Sequence, residues 1–270
     1  MFTQLGDMPE PVSNAEINDR QRALFSKFDN GDLLILCASP ETIHSNDVHH
    51  PYRTQSNLLY LSGWTEPDAV MCSLNINGRW ETHLFVQPKD TLKEIWEGRR
   101  PGVEGAVENW PVDYAHSVDE LQSKLADFIA QSSKIMHRMG IMPEVDELVV
   151  KAIKKRDRAR QRYGTGPISI EDPSNLIAEM RLIKSDSEIA QMKFASDVSS
   201  LAHIAAMKHG GGNNAKENQL QSLIEGFFRY AGTSGWSYPS IVGSGENATI
   251  LHYKQNEDYC KDGGVVLIDA

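Results

Sequence analysis

The chain has 270 residues, of which 40% are hydrophobic and 24% are charged, and this balance excludes an intrinsically disordered protein. Its 37 acidic and 27 basic side chains give a net charge of −10, which argues against a general nucleic-acid binder, because such proteins need a basic surface. No apolar run approaches the roughly 20 residues that a membrane-spanning helix requires, so no membrane partner is expected.

The N-terminal sequence and the cysteines predict the compartment. The first twenty residues lack the basic and apolar segments of a secretory signal. Cys37, Cys72 and Cys260 are odd in number and form no CxxC pair, so neither a disulfide framework nor a zinc knuckle is expected. These features predict a cytoplasmic protein.

The first part of the chain alternates helix and strand signals. We predict helices over 17–28, 117–131 and 144–162, and strands over 33–37, 69–76, 82–86 and 134–139. Asn77-Gly78 joins two of these strands and is a strong hairpin signal. The mixture predicts an α/β domain with a mixed sheet. Because Asp172-Pro173 interrupts any continuing element, we place the domain limits at 1–173 and 174–270.

The second part begins with two helices. Ser185 and Glu188 form a capping box for a helix that runs to His209. Asn214 and Glu217 are expected to cap a second helix, whose apolar residues recur on one face. Three strands are then predicted, over 240–242, 249–253 and 264–268.

The segment from Trp236 to Ala270 contains the residues best suited to chemistry. His252 is expected in a strand between apolar neighbours, after a glycine-rich turn. Asp269 ends an apolar strand, where a buried carboxylate is costly unless it is paired or binds a metal. Two readings stay open from these residues alone: Asp269 is a metal ligand, or it caps the next turn.

Several strings together resemble one family. The segment contains Ile241-Val-Gly-Ser-Gly-Glu-Asn247, Ile250-Leu-His-Tyr253 and Leu267-Ile-Asp-Ala270, and earlier strings include Glu94-Ile-Trp-Glu-Gly-Arg-Arg100 and Met180-Arg-Leu-Ile-Lys-Ser185. In this order and spacing they resemble aminopeptidase P (Xaa-Pro aminopeptidase), of the metallopeptidases with the pita-bread fold. The resemblance implies an α/β N-terminal domain followed by the first part of an α+β pita-bread catalytic domain.

The resemblance also implies an activity and site residues. The family releases the N-terminal residue from peptides with proline at the second position, using two manganese ions per active site. Asp269 matches a metal ligand, and His252 matches a histidine that contacts the substrate and assists proton movement. Asp47 and Trp96 match substrate-binding residues that reach the active site of a neighbouring subunit, which implies a homo-oligomer, either a dimer or a tetramer. Arg160 aligns within about one position of a further such residue.

One departure from the family pattern matters. The family's second aspartate, its histidine and its two glutamates have no counterpart before the chain stops, one residue after Asp269. One carboxylate cannot hold two metal ions, so we expect these 270 residues to be an inactive fragment of a longer product. Two alternatives stay open: a non-catalytic relative that acts as an oligomerisation or binding module, and a prolidase-like or creatinase-like hydrolase of the same fold.

Overall fold

A computed structural model of the chain describes residues 5–164, 167, 169–210 and 214–270, with only the backbone described for 157–160 and 163. The contacts divide the chain into two compact units. The sheet unit is Val12–Ile183, and the helix-pair unit is Lys184–Ala270 together with the described residues up to Pro11. None of the helices within these described ranges is long and apolar enough to cross a membrane.

The sheet unit contains short strands and the helices that cover them. Its elements are α1 Asn14–Phe25, β1 Asp32–Cys37, β2 Ile43–Ser45, β3 Val48–His49, α2 Ser56–Ser62, β4 Val70–Ile76, β5 Arg79–Val86, α3 Thr91–Glu97, α4 Gly102–Asn109, β6 Tyr114–Ser117, α5 Leu121–Gln131, β7 Lys134–His137, α6 Pro143–Tyr163, β8 Ile170–Glu171 and α7 Ser174–Leu182. Six strands form one sheet in the order β6-β5-β4-β1-β7-β8. Strand β1 is antiparallel to β4 and parallel to β7, so the sheet is mixed, as predicted.

Strand β1 lies at the centre of the core because both of its faces are covered. Leu34 and Leu36 pack on the side of α1, α2, α4 and α7. Leu33 and Ile35 pack on the opposite side with α5 and α6. A strand buried on both faces is a continuous apolar run rather than an alternating one, which explains the sequence 33–37.

The helix-pair unit is built on α8 Asp186–Gly210 and α9 Glu217–Tyr230, followed by strands β9 Ile241–Ser244 and β10 Val266–Asp269. The apolar stripe of α9 packs on small residues of α8, chiefly Ala202, Ala205 and Ala206. The predicted box at the start of α8 is confirmed: Ser185 N–H donates to Glu188 Oε2 at 2.9 Å, and Glu188 N–H donates to Ser185 Oγ at 3.2 Å.

The start of the chain also belongs to the helix-pair unit. Leu5 packs against the core of this unit, and the Gln191 side-chain amide donates to the carbonyl oxygens of Pro9 and Glu10, at 3.3 and 2.9 Å. The sheet unit is therefore inserted in sequence between two pieces of the helix-pair unit. The predicted domain limits at residue 173 remain a prediction.

Candidate active site

Asp269 is the last residue of β10 and pairs with Ile241 of β9. The Tyr238 hydroxyl donates a hydrogen bond to its carboxylate, and this bond raises the pKa of Tyr238. The expectation that Asp269 is buried was wrong: its side chain is exposed, on the face of β10 that also exposes Leu267. The reason is that β10 pairs with β9 on one edge, while this face has no covering layer among the described residues.

His252 lies in a turn rather than in the predicted strand 249–253. A 3-10 helix covers Gly245–Thr249, and the turn at Leu251 and His252 follows it. Leu251 is 88% exposed and His252 is exposed, while Tyr253 is buried. The β-branched and aromatic residues that suggested a strand therefore lie in a loop. The imidazole of His252 is accessible to a ligand.

A buried carboxylate organises this loop, and sequence reasoning missed it. Glu217 was expected to support a helix cap with Asn214, but α9 begins at Glu217 itself, and its carboxylate faces the loop. The carboxylate and its partners form a set that we call the Glu217 cluster: Glu217, Ser244, Asn247, Tyr253 and Asp258. Burial raises the pKa of Glu217, but the hydrogen bonds outweigh it, and the net pKa is lowered. No sequence signal near Glu217 indicates these contacts, because its partners lie 27 to 41 positions later in the chain.

The metal ligands implied by the resemblance can be compared with the residues present. Across the described parts of the chain, no group of three or more His, Cys, Asp or Glu side chains could hold a metal ion. Asp269 contributes one exposed carboxylate that already accepts a hydrogen bond from Tyr238. These residues by themselves do not fit a two-metal site.

The other predicted site residues belong to the sheet unit. Asp47 lies in the turn between β2 and β3 and lines a cavity of about 480 Å³, together with Arg99 and Arg100. Trp96 lies on α3 and is 89% exposed. Arg160 lies in α6, and its side chain falls outside the described residues.

Each of the three cysteines lies in a buried core. Cys37, Cys72 and Cys260 are each buried and free. Burial raises the pKa of each of these thiols, so they behave as small apolar side chains rather than as nucleophiles.

Comparison with known proteins identifies both parts of the chain. Residues 17–137 match the family model "Aminopeptidase P, N-terminal domain", and residues 190–270 match "Metallopeptidase family M24". The fold is thus an aminopeptidase P N-terminal domain followed by part of a pita-bread metallopeptidase domain. Both parts of the chain are therefore similar to aminopeptidase P.

Individual relatives agree with this assignment. The chain is 34% identical to the Xaa-Pro aminopeptidase of Escherichia coli K12, over 96% of this chain and 59% of that protein. A zinc-substituted Escherichia coli aminopeptidase P in complex with product matches with a TM-score of 0.91 and 34% identity, over 97% of this chain and 59% of that one. The proline aminopeptidase P II of Yersinia pestis matches with a TM-score of 0.90 and 36% identity, over 96% of this chain and 59% of that one. The chain therefore spans about three fifths of the length of these relatives.

Proposed function

We propose that the whole protein is a metalloaminopeptidase that releases the N-terminal residue from peptides with proline in the second position. The observation that carries this proposal is the match to the Xaa-Pro aminopeptidase of Escherichia coli over 96% of the chain. A dedicated enzyme is chemically reasonable for such peptides, because proline fixes φ and its amide nitrogen carries no hydrogen.

Within this proposal the residues of the helix-pair unit have distinct roles. Asp269 is a ligand to one of two divalent ions, which we propose to be manganese, and oxygen ligands suit this metal. His252 contacts the substrate and assists proton movement, and its exposed position leaves the ring free to do so. We propose that the other metal ligands are supplied by the rest of the whole protein.

The sheet unit supports a proposal about assembly. Trp96 lies on α3 beside Leu92 and Ile95, which are 75% and 71% exposed, so this short helix presents an apolar surface. We propose that Asp47, Trp96 and Arg160 bind substrate in the active site of a neighbouring subunit of a dimer or tetramer. The buried free thiols support a reducing compartment, and we propose the cytoplasm.

The test compares two peptides and two proteins. The source DNA is sequenced beyond codon 270, and the encoded product and the 270-residue chain are both assayed with manganese. A tripeptide with proline in the second position is the substrate, and the same peptide with alanine there is the control. We expect the whole product to release the first residue from the proline peptide only, and His252→Ala and Asp269→Ala to abolish this release. A whole product that leaves the proline peptide intact would contradict the proposal.

A second candidate is a non-catalytic relative that uses the sheet unit for oligomerisation or binding. It is favoured by the lack of a three-ligand group among the described residues. Sequencing beyond codon 270 and calorimetry of the encoded product with manganese separate the two candidates, because a stop codon after Ala270 and no manganese binding would favour the second. Tight binding of two manganese ions by the 270 residues would exclude it.

A further inference from the structure

The Glu217 carboxylate is fully buried and accepts four hydrogen bonds, two at each oxygen. Oε1 accepts from the Ser244 amide at 2.6 Å and from the Asn247 side chain at 3.1 Å. Oε2 accepts from the Tyr253 hydroxyl at 2.8 Å and from the Asp258 amide at 2.9 Å. Burying a carboxylate costs free energy unless hydrogen bonds compensate for the lost water. Here both oxygens accept two hydrogen bonds each, which offset that cost.

The four donors come from both ends and the middle of one segment, residues 244–258. Between β9 and β10 this segment contains a 3-10 helix and turns, so a continuous strand ladder does not hold it in place. The Glu217 cluster replaces the ladder, because one carboxylate from α9 joins residues that are up to fourteen positions apart. The Asn247 side chain adds contacts to Tyr253 Oη at 3.0 Å and to Asp258 Oδ2 at 2.8 Å.

A second buried side chain fixes the segment beside the cluster. Asn256 has a positive φ of 50°, and its Oδ1 accepts from the Val242 amide at 3.0 Å. Its amide group donates to the Ser240 carbonyl at 2.9 Å and to Gln221 Oε1 at 2.8 Å. Gln221 lies one turn beyond Glu217 on α9, so the start of this helix supports the segment at two points.

The turn with His252 lies between these anchors. Its neighbour Tyr253 is buried and donates to Glu217, whereas Leu251 and His252 project into solvent. We propose that Glu217 is a positioning residue, which fixes the 244–258 segment and thereby the place of the His252 ring. The catalytic part of this inference rests on the function proposed above for His252, and the positioning part does not.

The test begins with Glu217→Gln in the 270-residue chain. An amide nitrogen in place of either oxygen would face two donors, so two hydrogen bonds are lost while the side-chain volume is kept. The matched control is Glu225→Gln, two turns further along α9, where the carboxylate accepts one hydrogen bond from Gln221. Hydrogen–deuterium exchange is measured for peptides covering 244–258, α8 and the strands of the sheet unit.

We expect exchange within 244–258 to rise at least about tenfold in Glu217→Gln, because hydrogen bonds to a charged group are among the strongest. Exchange in α8 and in the sheet unit should be unchanged, and Glu225→Gln should resemble the parent chain. Unchanged exchange in 244–258, or an equal rise throughout α8 and α9, would overturn the inference. Tyr253→Phe, which removes one of the four donors, should give a smaller rise in the same segment and tests the inference even if Glu217→Gln fails to fold.

A spectroscopic measurement connects the segment to the ring. The carbon-bound proton signals of His252 are followed by NMR in the parent chain, in Glu217→Gln and in the control Glu225→Gln. One sharp set is expected in the parent, and broad or multiple sets are expected in Glu217→Gln. An unchanged His252 signal in a chain with increased exchange would refute the link to the ring. Neither measurement uses peptidase activity, so a failure of the proposed function leaves their outcome readable.

Discussion

A pair of histidines on the edge of the sheet unit predicts how its stability depends on pH. His83 of β5 is buried, and its Nδ1 lies 3.0 Å from Nε2 of His116 on the neighbouring strand β6. Its ring stacks on Tyr114, and its Nε2 has no hydrogen-bond partner. Burial, reinforced by His116, lowers the pKa of His83 from 6.5 to about 4.

Other charges act on the same ring, and they set the balance. Asp113 raises the pKa of His83, and Lys124 lowers it. Glu81 lies 3.9 Å from Nε2, which is too far for a hydrogen bond. The pKa of His116 is also lowered, first by burial. The two histidines therefore change stability in the same direction.

The sign and size of the effect follow from linkage. The unfolded chain binds the His83 proton near pH 6.5, and the folded chain binds it only near pH 4, so acid favours unfolding. The contribution of His83 to the free energy of unfolding is complete above pH 6.5 and is lost as the pH falls toward 4. With these two pKa values, the loss at pH 5 relative to pH 8 is about 2 kcal/mol, a factor of about 30 in the unfolding equilibrium.

The assay is urea unfolding at pH 8 and at pH 5, followed by tryptophan fluorescence. Four of the five tryptophans lie in the sheet unit, so the signal reports chiefly on this unit. His83→Phe keeps an aromatic ring in the stack and removes the titrating group, and His44→Phe changes an exposed histidine as the control. From pH 8 to pH 5, the free energy of unfolding should fall by about 2 kcal/mol more in the parent chain and in His44→Phe than in His83→Phe. Equal losses in all three chains would refute the reasoning.

Three substitutions and one control test packing and hydrogen bonding elsewhere. In Gly243→Ala the new Cβ would lie 2.7 to 2.9 Å from backbone atoms, so we expect a loss of about 1–3 kcal/mol in urea unfolding, followed by circular dichroism of the helices. The control Gly226→Ala, in an open position of α9, should instead gain about 0.5–1 kcal/mol, and a loss there would contradict the reasoning. Leu34→Ala in the fully buried strand β1 should cost about 2–5 kcal/mol by the same fluorescence assay, and a cost below about 1 kcal/mol would be inconsistent with its burial. Asp146→Asn should cost about 1–3 kcal/mol in thermal unfolding. The reason is that this carboxylate lies 2.8 Å from the buried His137 ring and also accepts a hydrogen bond from a backbone amide. An unchanged melting temperature would argue against this pairing.

The central strands and the long helices of the sheet unit were predictable because their signals are local. The apolar run 33–37 predicted β1, since a strand covered on both faces must be apolar throughout. Asn77-Gly78 predicted the hairpin of β4 and β5, and both residues have the positive φ that this turn requires, 52° and 84°. The short elements were missed, because two to nine residues leave little periodic pattern; these are strands β2, β3, β6 and β8 and helices α2, α3, α4 and α7.

The candidate site was less predictable because distant residues determine its shape. The segment 249–253 has the composition of a strand, but its conformation depends on Glu217, more than thirty positions earlier. No pattern within the segment can show that contact. The place of Asp269 at the end of a strand was correct, whereas its burial depended on a covering layer, which an apolar sequence alone does not show.

The two-part construction of the helix-pair unit has a consequence for biosynthesis. Leu5, Pro9 and Glu10 leave the ribosome before their partners, which begin after Lys184. At about 5–20 residues per second, the ribosome takes roughly ten to forty seconds to make the residues in between. The sheet unit, which is continuous in sequence, can fold during that delay, before α8 is available to the residues that precede the sheet unit.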